Sequence, residues 1–208
     1  RSRQARLDRV RLRLAEAVCA QKRCATMAGA LTELASRGVA PGETQYLLMV
    51  ARRELGNAAE SRQAFDALVA LAPGTAADVW VERALNEQGT ALIRADADAD
   101  AAATFRQLFD RNPSGRFAER AAWKYGWWCY RTGRFDETAR VFELAAATIP
   151  RANTRPAWLY WAGRARERSG DTDGARQRLT IAAVDYLQSY YGRLAADALT
   201  RLGAPVPS

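Results

Sequence analysis

The sequence predicts an all-α chain: a right-handed superhelix or solenoid of about five antiparallel helix hairpins plus a closing helix, with no significant strand. Large apolar residues recur at Phe65, Phe105, Phe142 and Leu179, spaced 40, 37 and 37 residues apart. Their surroundings recur with them. Nine residues earlier stand Gly56, Asp96, Gly133 and Gly170, and three residues later Leu68, Leu108, Ala145 and Ala182; Pro73, Pro113 and Pro150 follow the first three by eight. Composition agrees, since 44 of the 208 residues are Ala against 14 Gly and 7 Pro.

The first helix is predicted over residues 3–20. Leu7, Val10, Leu14 and Ala17 interleave there at helical spacing with Arg3, Arg6, Arg9, Arg11 and Arg13. That pattern reads as an amphipathic helix with its Arg residues on the wet sides, in preference to a nucleic-acid arm. A second helix, 23–37, follows the turn at Gln21-Lys22-Arg23. Cys19 and Cys24 flank that turn, and two readings stand side by side: a disulfide in an oxidising compartment, or two half-buried apolar thiols. Cys129, among aromatics, reads as core.

Hairpins follow over 43–55 with 58–72, 76–95 with 99–111, 117–132 with 135–149, and 155–169 with 172–187. In each, a Gly (Asp96 in one) lets the chain reverse after the first helix, the large apolar residue fills the seam, and a Pro stops the second helix where one is present. Gly126 and Gly163 fall mid-helix, 37 residues apart, where close backbone approach is useful. A helix over 190–202 closes the array. Residues 1–202 form one predicted α-solenoid domain, and Gly203–Ser208 reads as a stop and the opening of a linker. The chain starts at Arg1 without Met or a secretory signal, so it is expected to be processed or cut from something longer.

Chemistry is bounded by what is missing. With no histidine, Ser-His-Asp and Cys-His nucleophiles, His-ligated metals and histidine acid/base work are excluded. Asp96, Asp98 and Asp100 open like a calcium loop, yet Ala101 and Gln107 stand where that loop needs Gly and a bidentate Glu. Asp98 or Asp100 is expected to cap a helix instead, as are Asp171 and Asp173 in the next hairpin. Glu82 and Glu87 diverge on a helix, and Asp136 and Glu137 read as caps, so no carboxylate pair is assigned to catalysis. Catalytic, metal and cofactor sites are all read as none.

The net charge is +8, with 29 Arg and two Lys. A basic surface suits anionic partners, and a GC-rich coding sequence would produce the same Arg and Ala bias. Fourteen of the 19 aromatics lie between Phe117 and Tyr191. Trp123, Trp127 and Tyr130 share one helix face, as do Trp158 and Trp161, and both sets are expected to fill helix–helix core. Trp128 and the pair Tyr190-Tyr191 are better placed as exposed stacking platforms.

Two resemblances follow from quoted residues. The register Gly126, Gly133, Phe142, Pro150 is similar to the tetratricopeptide pattern, with Thr138 where that pattern prefers Ala. The stretch Arg155-Pro-Ala-Trp-Leu-Tyr-Trp-Ala-Gly-Arg-Ala, then Ser189-Tyr-Tyr-Gly-Arg-Leu-Ala, resembles the superhelical region of soluble lytic murein transglycosylases. Ala121-Ala-Trp-Lys-Tyr-Gly-Trp-Trp-Cys-Tyr-Arg-Thr-Gly-Arg-Phe135 fits as well, so the likeness covers about 113–202; upstream it rests on periodicity.

That resemblance implies the helical, non-catalytic part of a periplasmic enzyme of a Gram-negative cell wall. A separate C-terminal lysozyme-like domain would cleave the glycan to a 1,6-anhydro product. The family's catalytic Glu is usually followed by Ser and accompanied by Gly-Leu-Met-Gln-like loops; the one Glu-Ser here, Glu60-Ser61, lacks that context, and the role is not carried over. The implied partner is peptidoglycan, and candidate contacts to ligand or domain are Trp128, Arg164, Tyr190, Tyr191 and Arg193. No nucleic-acid partner is expected, because helical repeats that read bases carry variable polar pairs that are absent here; no membrane span is expected either. The alternative is a tetratricopeptide-like protein–protein interaction scaffold.

Overall fold

A computed structural model describes residues 3–204, and every regular element among them is helical. The chain divides into two compact units, Arg1–Leu85 and Asn86–Ser208, the division falling within one helix.

The first unit is centred on the hairpin of α3 (Pro41–Glu54) and α4 (Ala58–Val69), preceded by α1 (Arg3–Ala20) and α2 (Ala28–Ser36) and followed by the start of α5 (Asp78–Arg94). Leu31, Leu34, Leu68, Val81 and Leu85 are fully buried in it. Burying each such side chain contributes about 1.5–3 kcal/mol before the entropy of ordering it is set against the gain.

Two expectations change in this unit. In place of one helix over 23–37 the chain forms a 3-10 turn, Cys24–Met27, and then α2. Cys19 and Cys24 are joined by a disulfide, Lys22 takes a left-handed φ of 58°, and the Ala25 N–H donates to the Glu54 carboxylate at 2.8 Å. With Cys24 and Ala25 both tethered at its start, that segment adopts the tighter winding. The second change concerns α1, which turns its other face inward. Leu7, Val10, Leu14 and Ala17 are exposed, whereas Asp8, Leu12 and Ala15 are buried. Asp8 explains the choice: its carboxylate accepts from Arg37 Nη2 and Gln4 Nε2, each at 2.8 Å. A buried carboxylate is tolerated only with such partners, and Arg37 supplies one only on this face.

The second unit holds the rest of α5, then α6 (Asp98–Arg111), α7 (Ala118–Arg131), α8 (Phe135–Thr148), α9 (Arg155–Arg168), α10 (Thr172–Asp185) and α11 (Tyr190–Arg201). From α6 onward each helix packs against the next, and α9 also touches α11. Phe105, Phe109, Phe142, Trp158, Leu179 and Leu199 are buried almost without exposure.

One device builds all the hairpins. Gly56, Asp96, Gly133 and Gly170 have φ of 76°, 55°, 77° and 86°. The residue after each donates its N–H five residues back: Asn57 to Arg52 O, Ala97 to Leu92 O, Arg134 to Cys129 O and Asp171 to Arg166 O, at 2.8–3.0 Å. These are the closing bonds of left-handed helix C-caps, which satisfy otherwise unpaired carbonyls and turn the chain back. Asp96 thus does what glycine does elsewhere. Neither Asp98 nor Asp100 caps α6; both sit in its first turn, beyond Ala97 at the cap position, where their charge still favours the positive helix end. Asp171 does cap α10, accepting from Gly174 N at 2.9 Å.

Across the seam, residues sixteen apart meet. A Cβ on Gly89 would lie 2.8 Å from the Phe105 ring, one on Gly126 2.7 Å from Phe142 Cζ, and one on Gly163 2.7 Å from Leu179 Cγ. The missing side chain is the space the partner occupies. Thr138, buried opposite, has a hydroxyl within reach of Arg134 O at 3.1 Å and Gly126 O at 3.3 Å. Ser61 makes the equivalent bond to Met49 O at 2.9 Å in the α3–α4 hairpin. A hydroxyl where the repeat pattern prefers Ala therefore ties the second helix to the first.

Candidate functional site

The aromatic residues of the second unit are not all core. Trp158 is fully buried, but Trp123, Trp127, Tyr130 and Trp161 are half-buried and run together as a band over α7 and α9. Trp127 stacks on Trp123 at 6.0 Å and on Tyr130 at 5.7 Å, and the Trp161 ring meets both Trp127 and Tyr130 edge-on at 4.8 Å. From Trp161 the band continues through Tyr160 at 5.1 Å to Tyr191 at 5.7 Å and Tyr190, on α11. Helical geometry accounts for the line: Trp123 and Trp127 are one turn apart on α7, and α9 repeats the position of Trp123 as Tyr160, 37 residues on.

Cations border this band. Arg168 lies 5.1 Å from the Phe135 ring centre, Arg164 6.0 Å from that of Tyr160, and Arg134 4.6 Å from that of Trp128. Arg164 also donates from Nη1 to Tyr160 Oη at 3.2 Å, and its Nε stands 2.8 Å from Glu167 Oε2 without hydrogen-bond alignment. Half-exposed ring faces beside guanidinium groups can stack on a planar or sugar-ring ligand while holding its carboxylates.

The sequence-derived candidates divide accordingly. Arg164, Tyr190 and Tyr191 belong to the band, with Tyr190 63% exposed at its end. Arg193 is exposed on α11 and donates to Gln188 O at 3.0 Å, which turns it toward its own helix start. Trp128, with Arg134 over its ring, lies beside the band and shares with Trp127 a cleft of about 260 Å³ that Ile93, Phe105, Lys124 and Arg131 also line. Trp123, Trp127, Tyr130 and Trp161 are the half-buried members that the sequence reading assigns to core, and Tyr160, which links them to Tyr191, is itself buried. Their signal was the clustering of aromatics on first helices of successive hairpins.

Carboxylates near the band are committed to ion pairs. Glu137 accepts from Arg140 Nε and Nη2, each at 2.8 Å, and from the Tyr125 hydroxyl at 2.7 Å, so its pKa is held down to about 2. Glu143 receives Arg166 at 2.9 and 3.0 Å and Arg178 at 3.1 Å. In the first unit, burial and a hydrogen bond to the Glu16 carboxylate push Glu43 up to about 7, while the same bond, with Arg13 at 2.6 Å, holds Glu16 down. Glu43 Oε1 is buried without a partner, and Glu43 lines a cleft of about 420 Å³ with Pro41, Leu71, Ala77 and Trp80. Glu60 pairs with Arg52 at 2.7 Å. Burial pushes the Cys129 thiol up as well, which leaves it protonated and unreactive. Among the described residues no group of His, Cys, Asp or Glu could hold a metal ion, and no helix is long and apolar enough to cross a membrane.

The tetratricopeptide repeat family matches residues 43–75, which span the α3–α4 hairpin and the turn after it. No curated protein matches the chain. A tetratricopeptide-like, all-helical repeat is therefore the common ground of the match and the hairpin geometry.

Proposed function

We propose that this chain is the helical, non-catalytic domain of a periplasmic lytic transglycosylase, and that it holds or orients peptidoglycan strands for a separate lysozyme-like domain. The observation that carries the reading is the aromatic band from Trp123 to Tyr190 with Arg164 and Arg168 beside it. It lies within the residues that resemble that family's superhelical region. Pyranose rings stack on such faces, and the carboxylates of stem peptides suit the guanidinium groups. A disulfide between Cys19 and Cys24 fits an oxidising compartment. Chemistry would belong to the other domain, since Glu137 and Glu143 are bound up in ion pairs.

The match at residues 43–75 favours a second reading, a protein–protein interaction scaffold. Co-sedimentation with purified sacculi separates the two. Salt-sensitive pelleting, weakened in the double variant Tyr190→Ala/Arg168→Ala and without release of anhydro-muropeptides, is the expected result. No pelleting at low salt would overturn the wall-binding role and leave the scaffold. Release of anhydro sugars would overturn the non-catalytic assignment.

A further inference from the structure

Helix α1 presents an outer face with no task in the fold. Leu7, Val10 and Leu14 are 46%, 65% and 54% exposed, and with the exposed Ala17 they stand at i, i+3, i+7 and i+10. That is the a and d spacing of a two-helix seam. The helix already buries Leu12 and Ala15 on its other side, so this is a second apolar stripe. A single exposed leucine is ordinary; four small-to-large apolar positions in register are the footprint of a facing helix.

Charge identifies the facing helix. With Leu7 at a, Arg6 and Arg13 take g positions and Arg11 takes e, while Arg3 continues the stripe toward the N-terminus. Arg11 has Glu33 at 3.1 Å and Arg13 has Glu16 at 2.6 Å, but Arg3, Arg6 and Arg9 have no ion-pair partner among the described residues. We propose that the outer face of α1 docks an amphipathic helix of a partner protein, one with aliphatic residues along its seam and Asp or Glu at its flanking positions. A second copy of this chain would set arginine against arginine across the same seam. An anionic lipid surface fits less well, because the stripe has no aromatic residue and tapers to Ala17, leaving little to bury among acyl chains. This proposal is independent of peptidoglycan binding.

The test titrates a synthetic helix with Leu at a and d and Glu at e and g against the full chain, by fluorescence anisotropy. A peptide of the same composition with scrambled seam is the control. Expected is saturable binding, weakened about tenfold or more in Val10→Asp/Leu14→Asp and severalfold when salt rises from about 50 to about 200 mM. Arg6→Glu should weaken it without touching the stripe. All three residues are exposed, so an unchanged circular dichroism melt checks that the variants fold. No binding, or binding indifferent to Val10→Asp/Leu14→Asp, overturns the proposal. So does concentration-dependent dimerisation lost in that variant, which assigns the face to a second copy. Flotation with phosphatidylglycerol vesicles in the absence of peptide binding overturns it in favour of a membrane.

Discussion

Replacing Gly126 with alanine probes the seam on which every hairpin of the second unit depends. The new Cβ would lie 2.7 Å from Phe142 Cζ and 2.9 Å from Cδ1, whereas unstrained carbon contacts fall at about 3.5–4.0 Å. Phe142 has no exposure, and its ring packs 5.8 Å from Trp123, so it has no free volume into which to retreat. Alanine gains about 1 kcal/mol over glycine in a helix interior. Overpacking a tight core costs about 1–3 kcal/mol, and the upper end applies when the struck group is a pinned aromatic ring. The balance is a net loss of about 1–2 kcal/mol, or a fall in Tm of about 2–8 °C for a chain of this size. Gly29, inside α2, has nothing within 4 Å of an added Cβ. There the same substitution should raise stability by up to about 1 kcal/mol. Thermal unfolding followed by circular dichroism reads both, and the double variant Gly126→Ala/Phe142→Leu should recover part of the loss as a coupling of at least about 0.5 kcal/mol. If Gly126→Ala melts as high as Gly29→Ala, the seam has slack and the close-approach explanation of the sixteen-residue spacing is wrong.

Three further outcomes follow from local chemistry. Asp96 occupies a left-handed turn position that is glycine in three other hairpins; Asp96→Gly should gain, and Gly133→Ala lose, about 0.5–1 kcal/mol in urea unfolding, and equal midpoints would remove the turn argument. Reducing the Cys19–Cys24 bridge, which closes a six-residue loop, should cost about 2 kcal/mol by loop entropy, and a Cys19→Ala/Cys24→Ala variant should melt the same with and without reductant. Acid and neutral pH should act on different helices. Glu43, raised from 4.5 to about 7, adds stability that is complete below about pH 4.5 and is lost as pH climbs through 7. Glu137, lowered to about 2, adds stability that is present above pH 4.5 and is lost as pH falls toward 2. Glu43→Gln should flatten the stability profile only between pH 4.5 and 7, and Glu137→Gln only below 4.5; a profile unchanged by either would disprove these environments.

What the sequence made legible was whatever is settled within about one turn of chain or repeated across hairpins. Ten of the eleven α-helices among the described residues start within two residues of expectation, because a left-handed cap favours glycine at one position and a seam needs a gap sixteen residues from a large apolar side chain. Such requirements leave marks in single letters. The face that α1 turns inward left no such mark. Its two stripes, Leu7-Val10-Leu14-Ala17 and Asp8-Leu12-Ala15, compete, and hydrophobicity alone favours the first. The contest is decided by Arg37, 29 residues away, which takes Asp8 out of water with a bond that no helical wheel contains.

The aromatic band was obscured for a related reason. Trp158 and Trp161 are three residues apart on α9 and chemically identical, yet one is fully buried and the other half-exposed. Each first helix is covered on one side by its own hairpin partner and on another by neighbouring hairpins, and only the arc left over can meet a ligand. Trp158 points into the covered arc, whereas Trp161 meets Trp127 and Tyr130 of the preceding first helix. Aromatic content identifies a helix as important; the stacking order of first helices decides which of its rings a ligand can reach. A substitution at Trp158 should therefore unfold the unit, while one at the exposed end of the band, Tyr190, should alter binding and leave the melt in place.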